Sequence, residues 1–202
     1  GLVDGGGRME KNGMDFLINF QGVALDSLPL QLSLPLGGIL SGRLALRGTP
    51  ARPIANLEIR ASGLKSDEVL LKGLPPLLLE AQGDFQDQQL MANLSIKGLA
   101  SKPFEARLTL PLDFSLSPFA LSVPSQAPLG GSFAGEMDLE RLAGLLDLDD
   151  QIVGGQGNIE LQFDGTKEAP GIKGHIRMND GAYENLRTGT VLSRIRIDIS
   201  AR

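Results

Sequence analysis

The chain contains no cysteine and no tryptophan, and only one tyrosine and one histidine. Without cysteine there is no disulfide, no thiol nucleophile and no thiolate metal site, a composition compatible with the periplasm. The single histidine, His175, has no second imidazole to work with, and catalysis or metal binding needs partners. It shares parity with Lys173 and Arg177, so it is expected on a solvated face. Aromatic residues are only 4% of the chain, so any core must be filled by Leu and Ile rather than by large rings. The formal net charge of -5 supplies no basic stripe for nucleic acid and no attraction to anionic lipid surfaces. No run of about 18 apolar residues could span a membrane, and no signal peptide opens the chain. The sequence is expected to be either a soluble whole or a section of something anchored elsewhere. Its glycine-rich opening, GLVDGGGRMEKNGMDF, reads as a strand pair with a loose loop or as partly a non-native scar.

What the chain does have is alternation. In FEARLTLPLDFSLS at 104–117, apolar residues hold every second place against Glu105, Arg107, Thr109, Pro111, Asp113, Ser115 and Ser117. A period of two marks a strand with one apolar and one wet face. The pattern recurs at Leu28–Leu36, at Leu44 and Leu46, at Leu57 and Ile59, and at Leu94 and Ile96. It recurs again at Ile159, Leu161 and Phe163, at Ile172, Ile176 and Met178, and at Ile195, Ile197 and Ile199. About a dozen strands of about 5–8 residues are expected. Frequent Gly and Pro supply the turns, with signals at Asp164-Gly165, Asn179-Asp180-Gly181 and Thr188-Gly189. The reading is an all-β antiparallel meander in one continuous section over 1–202.

One segment departs from it. DLERLAGLLDL at 138–148 spaces Leu139, Leu142, Ala143 and Leu146 as a short amphipathic helix, with Asp138 as its N-cap. An internal repeat is also expected: 36–46 matches 129–139 at an offset of 93, and 48–60 matches 165–177 at an offset of 117. The 24-residue difference then reads as an insertion holding the helix.

No motif carries catalytic chemistry. Asp147, Asp149 and Asp150 stand together, but a calcium loop would want Gly where Ile152 stands and Glu where Asn158 stands. The Gly-Gly pairs at 37–38, 130–131 and 154–155 lack the Gly-Lys-Ser/Thr of a phosphate loop and precede strands, so they are expected to mark bends or bulges. No serine sits in a nucleophile elbow. An enzyme is not expected, and no cofactor or metal.

The apolar faces need cover. They can pack as a sandwich, close into a barrel, accept helices, or form an open trough that holds a ligand. One short helix cannot cover a dozen strands, and the scarcity of aromatics leans toward the trough. Leu108 and Leu110 from the opening pattern join Leu44, Leu46, Leu57, Ile59, Leu94, Ile96, Ile159, Leu161, Phe163, Ile176, Met178, Ile195, Ile197 and Ile199 as its expected lining. Arg107, Lys173, Arg177, Arg194 and Arg196 take the other parity and are expected outside.

The second half of the chain carries a resemblance. HIRMNDGAYENLRTGTVLSRIRIDI, above all Asp180–Leu186 and Thr188–Leu192, resembles the TamB family of the bacterial translocation and assembly module. RLTLPLDFSLSPF, PLGGSFAGEMDLERLAGLL and GGQGNIELQFDGTKEAPGIKG fit the same order upstream. The resemblance covers about half the chain, from residue 104 onward. It implies a folded-over β-sheet, the β-taco, with a concave hydrophobic groove. It also implies a periplasmic location, with anchoring to the inner membrane through a segment not in this sequence. The partners it implies are phospholipid acyl chains and an outer-membrane barrel like TamA. The function implied is phospholipid movement between the membranes and support of outer-membrane protein assembly. The rival expectation is a chaperone-like module that adds strands of unfolded outer-membrane proteins to a free sheet edge. A third is a closed two-sheet scaffold.

Overall fold

The computed structural model describes residues 1–10, 13–27, 37–65, 76–140 and 150–201. Strands make up 79% of the molecule, and nearly all belong to one open antiparallel sheet of eleven. In chain order they are β1 (Leu2–Glu10), β2 (Gly13–Ala24), β3 (Gly37–Thr49), β4 (Arg52–Lys65), β5 (Leu77–Gln86), β6 (Gln89–Lys97) and β7 (Phe104–Pro111). A two-stranded hairpin follows, β8 (Asp113–Leu116) and β9 (Phe119–Ser122). The sheet then resumes with β10 (Gly130–Asp138), β11 (Gln151–Gly165), β12 (Pro170–Asn185) and β13 (Thr190–Ala201). β10 pairs with β7, so the meander is continuous apart from the hairpin, and β1 and β13 are its edges. Two facing sheets are not formed by the described residues, which sets the closed-sandwich expectation aside.

The alternation marked β3, β4, β6, β7, β11, β12 and β13 but not their ends. β11 and β12 run for 15 and 16 residues, about twice the expected length. The reason is that a turn signal falls inside a strand, while the Gly-Gly pairs at 37–38 and 154–155 mark irregularities within strands, as expected. Gly38 (φ 143°) and Gly155 (φ 128°) each sit at a register shift, opposite a partner strand that carries one extra residue, between Ser62 and Lys65 in β4 and between Asn179 and Ala182 in β12, which bends the pair without ending it. At 130–131 there is no bulge, because Gly131 pairs regularly with Leu108 and Phe163. Asn179-Asp180-Gly181 is likewise a bulge within β12 rather than a turn, with Asp180 at φ 54°. Asp and Asn tolerate that left-handed conformation, so the same residues serve a bulge or a turn. The opposite error occurs at 104–117. Its unbroken alternation spans two strands in different sheets, because the chain leaves the main ladder after Pro111, which has no N–H to give.

The repeat is simpler than the sequence matching suggested. The strand at 130–138 is not joined to β12; β11 stands between them. The 24 residues therefore include a whole strand as well as the helix. A single offset of 117 instead superposes the hairpin β3–β4 on β11–β12, GGILSGRLALRGT on GGQGNIELQFDGT. Leu44 pairs with Leu57 as Leu161 pairs with Gly174, and both hairpins carry a bulge in the second strand at the same place, opposite the Gly-Gly pair. Both turns are held alike: the Thr49 hydroxyl accepts from the Arg52 N–H at 3.1 Å, and Thr166 accepts from Ala169 at 3.2 Å.

Of the expected helix, the described part is its start. Leu139 and Glu140 are helical, and the Glu140 N–H donates to the Asp138 carboxylate at 3.2 Å, the N-cap bond. Residues 141–149, and the strand expected at 28–36, lie outside the described residues.

The molecule lacks an ordinary core. Among the described residues the buried hydrophobics are Met14, Ala45, Ala61, Phe85, Phe104 and Met178, and no side chain of theirs is below 2% exposure. The accessible surface is 13387 Å² for 21.4 kDa. A compact chain of that mass exposes about 9,000 Å². The excess is what a sheet with one uncovered face requires.

Candidate functional site

Directly paired residues in neighbouring strands point to the same side of a sheet, so the register decides which side chains share a face. Starting from Leu161, the ladder connects Phe133 on β10, then Ala106 on β7, Leu94 on β6, Ala81 on β5, Ile59 on β4 and Gly42 on β3. On the other side Ile159 pairs with Ile176 and Ile176 with Ile199, while Met178 pairs with Ile197. Every one of the sixteen proposed lining residues falls on this face. Leu44, Leu46, Leu57, Ile59, Leu94, Ile96, Leu108 and Leu110 come from β3, β4, β6 and β7. Ile159, Leu161, Phe163, Ile176, Met178, Ile195, Ile197 and Ile199 come from β11, β12 and β13.

The face is larger than those sixteen. Phe16, Ile18 and Phe20 on β2 pair with Leu46, Leu44 and Gly42, and Leu79 and Phe85 join from β5. Phe104 on β7 and Phe133 on β10 stack with ring centroids 5.6 Å apart. Phe104 belongs to the alternation at 104–117; the others were missed for a physical reason. In FLINF the apolar Leu17 stands between Phe16 and Ile18 and blurs the parity, and elsewhere Gly at 83, 131 and 135 fills places where an apolar side chain would have marked it. Across the paired positions of β2–β7 and β10–β12 no charged side chain points to this side.

The same face is uncovered. Leu44, Leu57, Ile59, Leu94 and Leu161 in mid-sheet are half-buried by their neighbours, with no second layer of described residues on them. Toward the edges exposure rises, to 40% at Ile197 and 57% at Ile199. Contiguous exposed apolar surface of this extent marks a site of interaction.

The opposite face is polar and paired with itself. Glu80 accepts from Arg60 at 2.6 Å and from Lys97 at 2.7 Å, joining β4, β5 and β6. The Lys97 hydrogen bond holds the Glu80 carboxyl below its ordinary value; partial desolvation opposes this, and the charges of Lys97 and Arg60 reinforce it. Arg177 meets Asp198 at 3.4 Å, Lys173 meets Asp164 at 3.0 Å, and His175 Nε2 lies 3.6 Å from Glu160. His175 thus stands on the polar face with its expected neighbours. Among the described residues no cluster of three or more His, Asp or Glu could hold a metal, and Asp150 is exposed, its carbonyl accepting from the Leu186 N–H. Asp147 and Asp149 lie outside the described residues.

A furrow of about 650 Å³ crosses β3–β7 on this polar side. Two rows of side chains wall it, one through Arg60, Glu80 and Glu105, the other through Arg43, Glu58 and Arg107. Its walls are hydrated charges, several already paired, and need no occupant. The apolar face does, because its exposed carbon gains free energy on leaving water. The candidate site is therefore the apolar face. No family model, curated protein or solved structure matches the chain.

Proposed function

We propose that this chain is a section of a hydrophobic conduit that carries the acyl chains of phospholipids. One observation carries the reading: an eleven-stranded ladder collects its apolar side chains on one face, and among the described residues no second layer covers that face. Keeping an acyl chain in water costs about 0.8 kcal/mol per methylene, and a continuous apolar wall removes that cost. Ten inter-strand spacings of about 4.8 Å give a face about 48 Å long. That exceeds the bilayer hydrocarbon core of about 30 Å, so chains can lie along it end to end. It is shorter than a dozen strands would give, because β8 and β9 leave the sheet. Leu, Ile, Phe and Gly offer no hydrogen bond at a fixed place, so a chain can slide rather than stop.

The resemblance of the second half to the TamB family supplies the setting of the proposal. The conduit would work in the periplasm, joined to the inner membrane through a segment not in this sequence and meeting a TamA-like barrel at the outer membrane. There it would pass phospholipid between the membranes and support outer-membrane protein assembly. The protein is not an enzyme in this reading and needs no cofactor.

Photoreactive residues placed at Leu161 and Ile197 should capture phospholipid, and the same residues at Arg177 and Arg196 should not. Equal capture from both faces would sink the assignment. A second reading has its own observation. The edges of β1 and β13 are unpaired over nine and twelve residues, and such edges accept an added strand from an unfolded outer-membrane protein. If β-augmentation is the function, peptide capture will follow probes on β13 and survive a charge placed in mid-face.

A further inference from the structure

Between β7 and β10, which are neighbours in the ladder, the chain spends residues 112–129. At the same end of the sheet, β3–β4, β5–β6 and β11–β12 turn within 50–51, 87–88 and 166–169. The long excursion contains the hairpin β8–β9, and its placement is specific. The Leu112 N–H donates to the Gln88 carbonyl at 2.8 Å and the Leu116 N–H to the Pro50 carbonyl at 2.7 Å. β8 is thereby laid across the rim, from the β5–β6 turn to the β3–β4 turn. The Phe114 ring meets Phe85 edge-on, with centroids 5.4 Å apart. Phe85 belongs to the apolar face and is only 4% exposed.

Register gives the hairpin two sides as well. Phe114 pairs with Leu121 and Leu116 with Phe119, so four apolar side chains share the side that Phe114 turns to the sheet. Asp113, Ser115, Ala120 and Ser122 take the other. The inner strand is seated and half-buried, yet Phe119 is 72% exposed and Leu121 59%. The outer strand therefore holds two large, mostly exposed apolar side chains, continuous with the apolar face through Phe114.

We propose that this hairpin is a flap on the rim of the groove, and that Phe119 and Leu121 are a further acyl-chain contact which closes over lipid lying against Phe85 and its neighbours. The occupant follows from continuity: what covers the apolar face beneath Phe114 also meets Phe119 and Leu121. This rests on the conduit reading. β8 supplies the fixed hinge line and β9 the moving edge.

The test places a photoreactive residue singly at Phe119, at Ser122 on the other side of β9, and at Leu161 on the sheet. Each chain is mixed with vesicles of phosphatidylethanolamine and phosphatidylglycerol carrying an acyl-labelled phospholipid. Capture at Leu161 and Phe119 but not at Ser122 is expected. Capture at Leu161 with Phe119 no better than Ser122 overturns the flap and leaves the conduit standing. No capture at Leu161 overturns the conduit, and the flap with it. Independently, Phe119→Ser combined with Leu121→Ser should weaken binding of the labelled phospholipid roughly tenfold, from the apolar contact removed. Both side chains are mostly exposed, so the melting temperature should hold. Unchanged lipid affinity in that folded variant also refutes the flap.

Discussion

A charge in mid-face is the sharpest probe of whether the apolar face is open in solution. Leu161 stands between Phe133 on β10 and Gly174 on β12, half-buried by same-face neighbours with no layer of described residues above. Replacing it with Asp removes part of a burial worth at most about 1.5–3 kcal/mol. It adds a strand-propensity loss of up to about 1 kcal/mol. If the face is reachable by water, the carboxylate keeps its hydration and the cost stops near 2–3 kcal/mol. For a chain of this size that lowers the melting temperature by about 5–10 °C. If something seals the face, an unpaired buried charge adds several kcal/mol more, comparable to the whole stability of a domain, and the protein will not fold. Thermal unfolding of Leu161→Asp beside Gln162→Asp, its neighbour on the polar face, separates the cases. The open face predicts a folded Leu161→Asp chain that has lost phospholipid capture, with Gln162→Asp near wild type in both respects. An insoluble Leu161→Asp chain would refute the open face.

Ile197→Arg, at 40% exposure on β13, should cost less than 1 kcal/mol or so and still abolish capture nearby, read by the same labelled phospholipid. Phe85→Ala removes a ring that is 4% exposed and packed against Phe114, so it should cost about 3–5 kcal/mol and release the hairpin, seen as faster amide exchange at Leu116. Gly155→Ala should cost about 1–3 kcal/mol, because its φ of 128° suits no L side chain and an added Cβ would lie 2.8 Å from the Gly181 backbone; Gly6→Ala, which meets nothing within 4 Å, should be neutral by denaturant titration. Glu80 is held below its ordinary value in the folded state, so its contribution is present at neutral pH and is lost as pH falls through that lowered value. In Glu80→Gln the acid limb of the stability profile should therefore be shallower, and a steeper limb would contradict the assignment.

Face membership was legible in the sequence because a sheet with one wet side must alternate. Sixteen positions read from parity alone occupy one face, and Lys173 and Arg177 the other. What parity cannot show is where a strand ends. Asn179-Asp180-Gly181 looked like a turn, yet it is absorbed as a bulge because its neighbours remain paired on both sides, with Gly155 opposite it. Conversely, Leu112 interrupts nothing in the pattern, and the chain leaves the sheet there. Phe114 keeps the apolar parity it would have had in a continued β7, but meets the face from above, through Phe85. The flap was invisible for that reason: alternation describes a hairpin across the rim as well as one in the plane.

The matched hairpins explain how such a face can be extended without being spoiled. β3–β4 and β11–β12 share a pairing register, a threonine-held turn and a bulge in the second strand, between Ser62 and Lys65 in β4 and between Asn179 and Ala182 in β12. A hairpin adds two strands at once, so it preserves the antiparallel alternation of the sheet. A fixed turn and a fixed register keep the same parity facing the same way, and a one-residue slip would have turned every lining residue to water. The bulge matters too, because it bends both units at corresponding points and so curves them alike. Leu44 and Leu161 are equivalent under the offset, as are Ile59 and Ile176, and all four lie on the apolar face. If that equivalence is mechanical as well as geometric, Gly38→Ala should reproduce the destabilisation of Gly155→Ala. Gly38 has φ 143°, and a Cβ there would approach the Ser62 carbonyl at 3.1 Å. The contact is looser than the 2.8 Å at Gly155, so the loss should be the smaller of the two while remaining above that of Gly6→Ala. Denaturant titration of the three variants gives the order directly, and a Gly38→Ala chain as stable as Gly6→Ala would show that only the second hairpin depends on its bulge.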